Sequence, residues 1–296
     1  MEEKENKNLL LEDQDIEEII KEEKERKKKR RGVIGTILTV IILSICMGGF
    51  GFSAYTLYGY YRTYKDGEDE YEKLRSYIQE NGDDGANADE KDSSNSKKKK
   101  TDDFQAPKVD FDELKDINPD IIGWIKVQGT VINYPIVQGD DNTYYLKKTF
   151  EKKSNYSGAI FMDYLNAPDF SSDNTVLYGH NLKTGEMFGG LQKYEKKDYI
   201  KDHKYIWIIT PEYNKKYEIF ASYKTDERSE VYTLEFNSFA DMDSYFRLAK
   251  ETSYFSSDSI LLQDDQLLTL STCVSEAEER RRVVQAKLIK TENHKN

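Results

Sequence analysis

The sequence contains little cysteine and little histidine. Among its 296 residues are two cysteines, Cys46 and Cys273, and three histidines. Cys46 lies inside a long apolar run, so Cys273 has no cysteine in the rest of the chain with which to form a disulfide bond. These low counts exclude a disulfide framework and reduce the search for a catalytic histidine to three positions.

Charged residues, by contrast, make up 33% of the chain and give it a net charge of −11. One run at 33–52, VIGTILTVIILSICMGGFGF, has no charge and has roughly the length that crosses a ~30 Å hydrocarbon core as a helix. Basic residues precede it at 21–31, and tyrosines follow it at 55–61. We therefore expect one transmembrane signal anchor at 33–54, with the N-terminus cytoplasmic and the C-terminal bulk outside. A cleaved signal peptide is the alternative, although the stretch before the run is long for one.

The anchor divides the chain into segments of different composition. We expect a charged cytoplasmic tail, the anchor, an extracellular charged stalk and linker, a folded domain and a short tail, at 1–32, 33–54, 55–106, 107–290 and 291–296. The linker portion at 81–103 has almost no apolar residues, so it cannot bury a core and should be disordered. As a flexible coil it would reach roughly 25 to 30 Å, which keeps the folded domain near the membrane.

The folded domain is mainly β in pattern. Short runs rich in β-branched and aromatic residues, such as TVINYPIVQ, NTVLYGH and QLLTLSTC, alternate with turn residues, which is typical of a barrel or a sandwich. Helices are predicted at 109–117, 186–194 and 237–255.

Cys273 ends one of these runs. The two-residue period of a strand puts Cys273 on one face with Thr269 and Ser271, and puts Leu268 and Leu270 on the other. An unpaired cysteine outside the cell suggests an intermolecular bridge or a reactive thiol, with a buried inert thiol as the third possibility.

Three arginines follow within ten residues. In the next run, Arg282 is in phase with the apolar residues Val284 and Ala286, whereas Arg281 is in phase with Val283 and Gln285. If the two strands are neighbours, Arg281 lies beside the sulfur. A cation there favours the thiolate, and a guanidinium can donate hydrogen bonds to a developing oxyanion.

His180 is the histidine best placed to complete such a site. His203 and His294 lie in charged surface segments, whereas His180 ends the run NTVLYGH and opens a polar, glycine-containing loop. Active-site residues are common at strand ends of this kind, although a histidine that only caps the strand is the alternative. Together the three groups predict a Cys/His/Arg acyl-transfer site.

The same motifs resemble those of the sortases. TLSTC at 269–273, R-x-V-V at 281–284, YGHN at 178–181 and MFGGLQKY at 187–194 follow the family's order. SGAIFMDY at 157–164 and the long helix before the last two strands indicate class B. The resemblance covers about 111–289 and implies a closed eight-stranded β-barrel with N-terminal and peripheral helices.

The resemblance also implies roles for individual residues. Cys273 would be the nucleophile, His180 the general acid and base, and Arg281 the oxyanion or substrate-positioning residue. The substrate-binding positions would be Tyr178, Ser271 and Thr272. Because three arginines are consecutive, a local bulge would present Arg280 or Arg282 instead.

By the same resemblance, the substrates are surface proteins that carry a C-terminal sorting motif of the NPxTN, NPxTG or PxTG type. The acceptor is an amine of peptidoglycan or of its lipid-linked precursor, membrane lipid is contacted through the anchor, and no nucleic acid, metal or other cofactor is expected. The alternatives are water as the acceptor, a pilin-polymerising enzyme that uses a pilin lysine, and a non-catalytic surface-binding barrel.

Overall fold

The computed structural model describes residues 2–79, 106–274 and 277–294. These residues belong to two units, Met1–Arg62 and Thr63–Asn296. The helices are α1 (Glu2–Leu74), α2 (Phe111–Ile117) and α3 (Phe239–Thr252). The strands are β1 (Ile78–Gln79), β2 (Lys108–Val109), β3 (Ile121–Val127), β4 (Asn133–Val137), β5 (Ile160–Met162), β6 (Asn174–Tyr178), β7 (Tyr205–Ile209), β8 (Tyr213–Asp226), β9 (Leu267–Val274) and β10 (Ala277–Asn293).

The first unit consists of the part of helix α1 up to Arg62, which contains the uncharged run. Its length and composition are those of a helix that could cross a membrane. The hydroxyls inside the run donate to the helix's own carbonyls: Thr39 Oγ1 to Gly35 O at 2.9 Å and Ser44 Oγ to Val40 O at 2.9 Å. No polar side chain therefore has to find water for these hydrogen bonds, as an apolar surrounding requires.

The second unit is built on a closed barrel. Its eight strands follow the order β10-β8-β7-β3-β4-β5-β6-β9. The pairs β4–β5 and β6–β9 are parallel, and the others are antiparallel. Since parallel strands end at the same edge, β6 and β9 finish side by side at one end of the barrel. The closed barrel predicted by resemblance is confirmed.

Alternate residues of the last two strands pack into two different cores. Leu268 and Leu270 of β9 join the main core together with Trp124, while Leu267 packs outside the barrel with Phe246 of α3. Ser238 caps α3, because its Oγ accepts a hydrogen bond from Asp241 N at 3.2 Å. Helix α3 therefore covers the outer face of the wall that contains Cys273's strand.

The compact unit begins earlier than the sequence indicated. Residues 63–79, assigned to the stalk by their charge, supply Tyr71, Leu74 and Ile78 to the main core. Strand β1 also pairs antiparallel with β2, joining Ile78 to Val109. Tyr71 and Leu74 lie on one face of α1, whereas Ile78 lies in β1, so the helical part of this apolar signal is short and is surrounded by many charges. The predicted disordered linker at 81–103 lies outside the described residues.

A partly buried charge network ties the segment after His180 to the barrel wall. Arg282, with 5% of its side chain exposed, donates to Glu195 Oε1 at 2.6 Å, and Lys224 lies 3.1 Å from the same oxygen. Burial acts to raise the pKa of Glu195, but the hydrogen bonds from Arg282 and Lys224 outweigh it and lower that pKa. The carboxylate therefore stabilises the fold when it is ionised.

We expect Glu195→Gln to destabilise the fold by about 1–2 kcal/mol at pH 7, a figure discounted because the carboxylate is 35% exposed. Because the pKa of Glu195 is lower in the folded state than in the unfolded state, its ionised carboxylate stabilises the fold at pH values above the unfolded pKa. This stabilisation is lost as the pH falls through the folded pKa. The difference from the wild type should therefore shrink below about pH 4. Denaturant unfolding of the variant and the wild type at pH 7 and below about pH 4 measures this difference. Asp198→Asn is the control, since Asp198 pairs with Lys201 at the exposed surface.

Candidate active site

The ends of β6 and β9 bring His180 and Cys273 to the same place. Tyr178 lies opposite Ser271 in the parallel ladder, and Gly179 N donates to Ser271 O at 3.2 Å. His180 lies two residues after Tyr178, and Cys273 lies two residues after Ser271. Neighbouring strands lie about 4.8 Å apart, so the register places the imidazole-bearing and thiol-bearing residues side by side.

Cys273 is the one residue of the TLSTC motif that reaches the surface. Its thiol is free and exposed. Ser271 is 1% exposed and shares a 2.9 Å hydrogen bond with the Tyr232 hydroxyl. Thr272 is 3% exposed, on the opposite face, and its hydroxyl has no hydrogen-bond partner among the described residues. The strand therefore presents the sulfur and buries the two hydroxyls before it.

The register of β9 and β10 separates the three arginines. Arg281 is directly opposite Cys273, and Arg282 is opposite Thr272. Arg280 lies in the irregular stretch between Ala277 and Arg281, where the register shifts and no described β9 residue is paired with it. Arg282 points to the other face, where its guanidinium forms an ion pair with Glu195. Arg281 is thus the arginine level with the thiol, as the strand phase indicated.

Glu227 holds the Arg281 guanidinium at this position. Its Oε2 accepts from Arg281 Nη2 at 2.7 Å, and its backbone N–H donates to Glu279 O at 3.0 Å. The backbone bond anchors the carboxylate on the hairpin side of the site. Nη1 of the same guanidinium, which has five donors in all, donates to Arg280 O at 3.3 Å.

Backbone contacts around His180 orient its ring. Nε2 lies 2.6 Å from Leu146 O, and since a carbonyl oxygen can only accept, Nε2 is the protonated nitrogen. Gly158, at φ +59°, lies under the ring: a Cβ at that position would stand 2.9 Å from His180 Cδ2. His180 O also accepts from Phe188 N at 3.0 Å, which closes the following loop. Nδ1 is therefore the ring nitrogen left to exchange protons.

Two tyrosines form a wall beside the thiol. The rings of Tyr178 and Tyr232 stack at 6.1 Å, and the Tyr178 hydroxyl donates to Asp163 Oδ2 at 2.8 Å. Burial raises the pKa of both hydroxyls, and the charge of Arg281 acts to lower both. A negative charge on Cys273 acts to raise the pKa of Tyr232, so the thiol, the guanidinium and the phenol are close enough to interact electrostatically.

Sequence reasoning missed several residues of this site. Glu227, Tyr232 and Asp163 lie in loops or at strand ends whose spacing carries no periodic signal, and only folding brings them to Cys273. Asp163 belongs to the SGAIFMDY motif, which could have drawn attention to it. Within the described ranges, no three His, Cys, Asp or Glu side chains are grouped so that they could hold a metal ion.

A closed barrel that carries a thiol, a guanidinium and an imidazole at one end has the groups of a cysteine acyl-transfer enzyme. Comparison with known proteins agrees: the Sortase domain model matches residues 125–289. Sortase B of Listeria monocytogenes serovar 1/2a is 38% identical over 183 residues, covering 60% of this chain and 74% of its own. Sortase B of Staphylococcus aureus is 37% identical over 187 residues, covering 61% and 75%.

The fold gives the same result. A Staphylococcus aureus sortase B–substrate complex superimposes with a TM-score of 0.57 at 36% identity, covering 61% of this chain and 84% of that one. The chain therefore belongs to the sortase family, and its relatives place it in class B, whose members are cysteine transpeptidases.

Proposed function

We propose that this protein cleaves a C-terminal sorting motif of the NPxTN, NPxTG or PxTG type after threonine and transfers the protein to a peptidoglycan amine. The observation that carries this proposal is the register of the three neighbouring strands β6, β9 and β10. Tyr178 pairs with Ser271 across β6 and β9, and Cys273 pairs with Arg281 across β9 and β10. Nucleophile, proton carrier and oxyanion donor therefore come from three adjacent strands of a rigid wall.

The reaction follows from these groups. The Cys273 thiolate attacks the threonine carbonyl carbon, and the carbonyl oxygen becomes an oxyanion that accepts hydrogen bonds from Arg281. As the C–N bond breaks, His180 gives a proton to the departing amine, leaving a thioester on Cys273. The acceptor amine then attacks the thioester, His180 takes its proton, and the thiolate is restored.

Because Nε2 keeps its proton in the hydrogen bond to Leu146 O, this bond supports Nδ1 as the atom of His180 that gives and takes the transferred proton. A ring whose second nitrogen is bound to a fixed carbonyl cannot rotate away from the sulfur without losing that hydrogen bond. The ring therefore stays in place between the two half-reactions. This is the pre-organisation that a general acid and base requires.

The substrate would lie along the wall beside Cys273. Tyr178 is half-buried there, and its hydroxyl is oriented by Asp163. Ser271 and Thr272 are buried, so Ser271 acts through its bond to Tyr232, and Thr272 supports the strand that presents the thiol. The sortase B–substrate complex is of similar fold, and this supports a sorting-signal peptide as the partner.

The expected membrane topology is consistent with the same reaction. The basic stretch at 21–31 would hold the N-terminus in the cytoplasm, which leaves the barrel outside. A sorting signal followed by its own apolar segment would be held in the same membrane. Tethering both reactants to one surface raises their effective concentration.

Incubation of the detergent-solubilised full chain with fluorogenic peptides tests the proposal. The cores NPQTN, NPKTG, PPKTG and LPxTG are compared, each with a glycine peptide or with its N-acetylated form, which has no free amine. We expect cleavage after threonine and a mass equal to the amide product only with the free amine. A threonine carboxylate as the sole product would indicate a protease, and no cleavage of any core would contradict the enzyme.

A further inference from the structure

Residues 63–79 lie against the loops that hold His180. We propose that this juxtamembrane segment positions the catalytic imidazole, with Tyr71 as the principal positioning residue. The inference rests on the proposed function in one respect, the role of His180 as proton carrier. It assigns to a stretch with the composition of a stalk a direct part in the geometry of the active site.

Tyr71 joins the two ends of one loop. Its hydroxyl donates to Gly158 O at 2.6 Å and accepts from Phe150 N at 3.2 Å. The side chain is 4% exposed, so water does not compete for either bond. The loop from Phe150 to Gly158 is therefore closed by a side chain that comes from the juxtamembrane segment.

Gly158 transmits this constraint to the histidine. A Cβ on Gly158 would lie 2.9 Å from His180 Cδ2 and 2.9 Å from Leu146 O, so there is no room for a side chain between Gly158 and either the ring or the carbonyl to which the ring is bound. Ala159 N also donates to Tyr145 O at 3.0 Å, next to Leu146. A shift of Gly158 therefore moves both His180 and its acceptor.

A second contact fixes the same loop from the segment's preceding turns. Asn155 Nδ2 donates to Thr63 O at 2.6 Å, and Asn155 Oδ1 accepts from Ser157 N at 2.9 Å. A Cβ on Gly67 would lie 2.7 Å from Asn155 Nδ2, so a larger residue here would displace the Asn155 side chain from its present position. Two turns of the segment thus hold the residues that lead into Gly158.

The loop after His180 is held by the same segment. Tyr64 OH donates to Thr184 Oγ1 at 2.6 Å. The Tyr71 ring packs edge-on against Tyr134, with centroids 5.4 Å apart, and the Tyr134 hydroxyl accepts from Met187 N at 3.2 Å. Both the loop under the imidazole and the loop that follows it are therefore bound to residues 63–79.

The test is Tyr71→Phe in the detergent-solubilised full chain, because this change removes only the hydroxyl and leaves the ring contact with Tyr134. Gly158 O and Phe150 N lose their shared partner, so the loop relaxes and His180 moves. We expect kcat to fall roughly ten-fold with KM nearly unchanged, since displaced catalytic groups slow turnover steeply. The pH profile of kcat should also shift, because the environment of the proton carrier changes.

Histidine NMR provides a readout that a general loss of stability would not move. The chain has three histidines, so ¹³C-histidine labelling gives three ring signals, and single histidine variants assign them. In Tyr71→Phe we expect the His180 signal to shift or broaden while the His203 signal stays in place. An unchanged His180 signal, together with wild-type kcat, would overturn the inference.

Tyr213→Phe is the matched control. Its hydroxyl also donates to a backbone carbonyl, that of Asp169, but Tyr213 pairs with Asn293 at the other end of β8 and β10 from Arg281. It should leave kcat and the His180 signal at wild-type values. If it lowers kcat as much as Tyr71→Phe does, the effect is general loosening and the inference fails.

Two further variants keep the result interpretable. If Tyr71→Phe does not fold, Tyr64→Phe is tested, which removes the bond to Thr184. It should give a smaller decrease in kcat and a smaller shift of the His180 signal, and no change in either would overturn the inference. Cys273→Ala tests the proposed function separately. Loss of activity in Cys273→Ala with wild-type behaviour in Tyr71→Phe would reject the positioning role alone, whereas full activity in Cys273→Ala would reject the enzyme mechanism.

Discussion

Replacing Cys273 by alanine is expected to abolish both cleavage and transfer, by at least about 10⁴-fold. The proposed thioester needs a nucleophilic sulfur at the end of β9, and no other described residue presents a thiol outside the apolar helix. The side chain is exposed, so its removal opens no cavity and the unfolding midpoint should stay at the wild-type value. Product formation from the sorting-motif peptides, followed by mass spectrometry, measures the loss.

Cys46→Ala is the matched control for this experiment. Cys46 is the second free cysteine and lies in the uncharged run of α1, so its replacement should leave activity unchanged. In the wild type, a substrate whose acceptor step is withheld should add one acyl mass to the protein, and Cys46→Ala should acquire the same adduct. An adduct that persists in Cys273→Ala would show that the nucleophile is elsewhere.

Replacing Arg281 by lysine is expected to lower kcat by about 10²-fold or more, the usual effect of losing one donor to a developing oxyanion. Lysine keeps the positive charge but replaces the planar guanidinium, which can donate to two oxygens at once, by a compact ammonium group. It cannot both pair with Glu227 and reach the oxyanion in the fixed geometry that the guanidinium allows. Stability should change little, because Arg281 lies in the partly exposed end of the hairpin.

Arg282→Lys should show the opposite behaviour. Arg282 is adjacent in sequence but buried on the other face, where it binds Glu195. Its replacement should reduce the free energy of unfolding by about 1–3 kcal/mol and leave kcat near the wild-type value. Steady-state kinetics and denaturant unfolding of the two variants form one comparison. A larger loss of kcat in Arg282→Lys than in Arg281→Lys would contradict the proposed assignment.

The opposite behaviour expected of two adjacent arginines shows how far strand periodicity can be used. A strand alternates faces with every residue, so the phase of Val283 and Gln285 was sufficient to place Arg281 on the face of Cys273. The observed register, with Cys273 opposite Arg281, agrees with that phase. The same rule could not find Glu227, because its position beside Arg281 depends on where β8 ends and how the next loop turns.

The juxtamembrane segment shows what periodicity cannot predict. Its charge density suggested a stalk, yet Tyr71 and Leu74 of α1 and Ile78 of β1 enter the main core. Periodicity reports that a helix has an apolar face and does not report what covers that face. The partner surface is made from loops of the barrel that lie far along the chain, such as the one ending at Gly158.

The sequence by itself determined the apolar helix, the β class of the domain and the alternation that presents Cys273 and Arg281 on one face, because these depend on neighbours along the chain. The motifs it contains determined the family. Only the tertiary structure decided the rest. The parallel pairing of β6 with β9 brings His180 level with Cys273, and Glu227, Asp163 and Tyr71 reach the site from distant segments, since burial of two apolar cores determines where those segments lie.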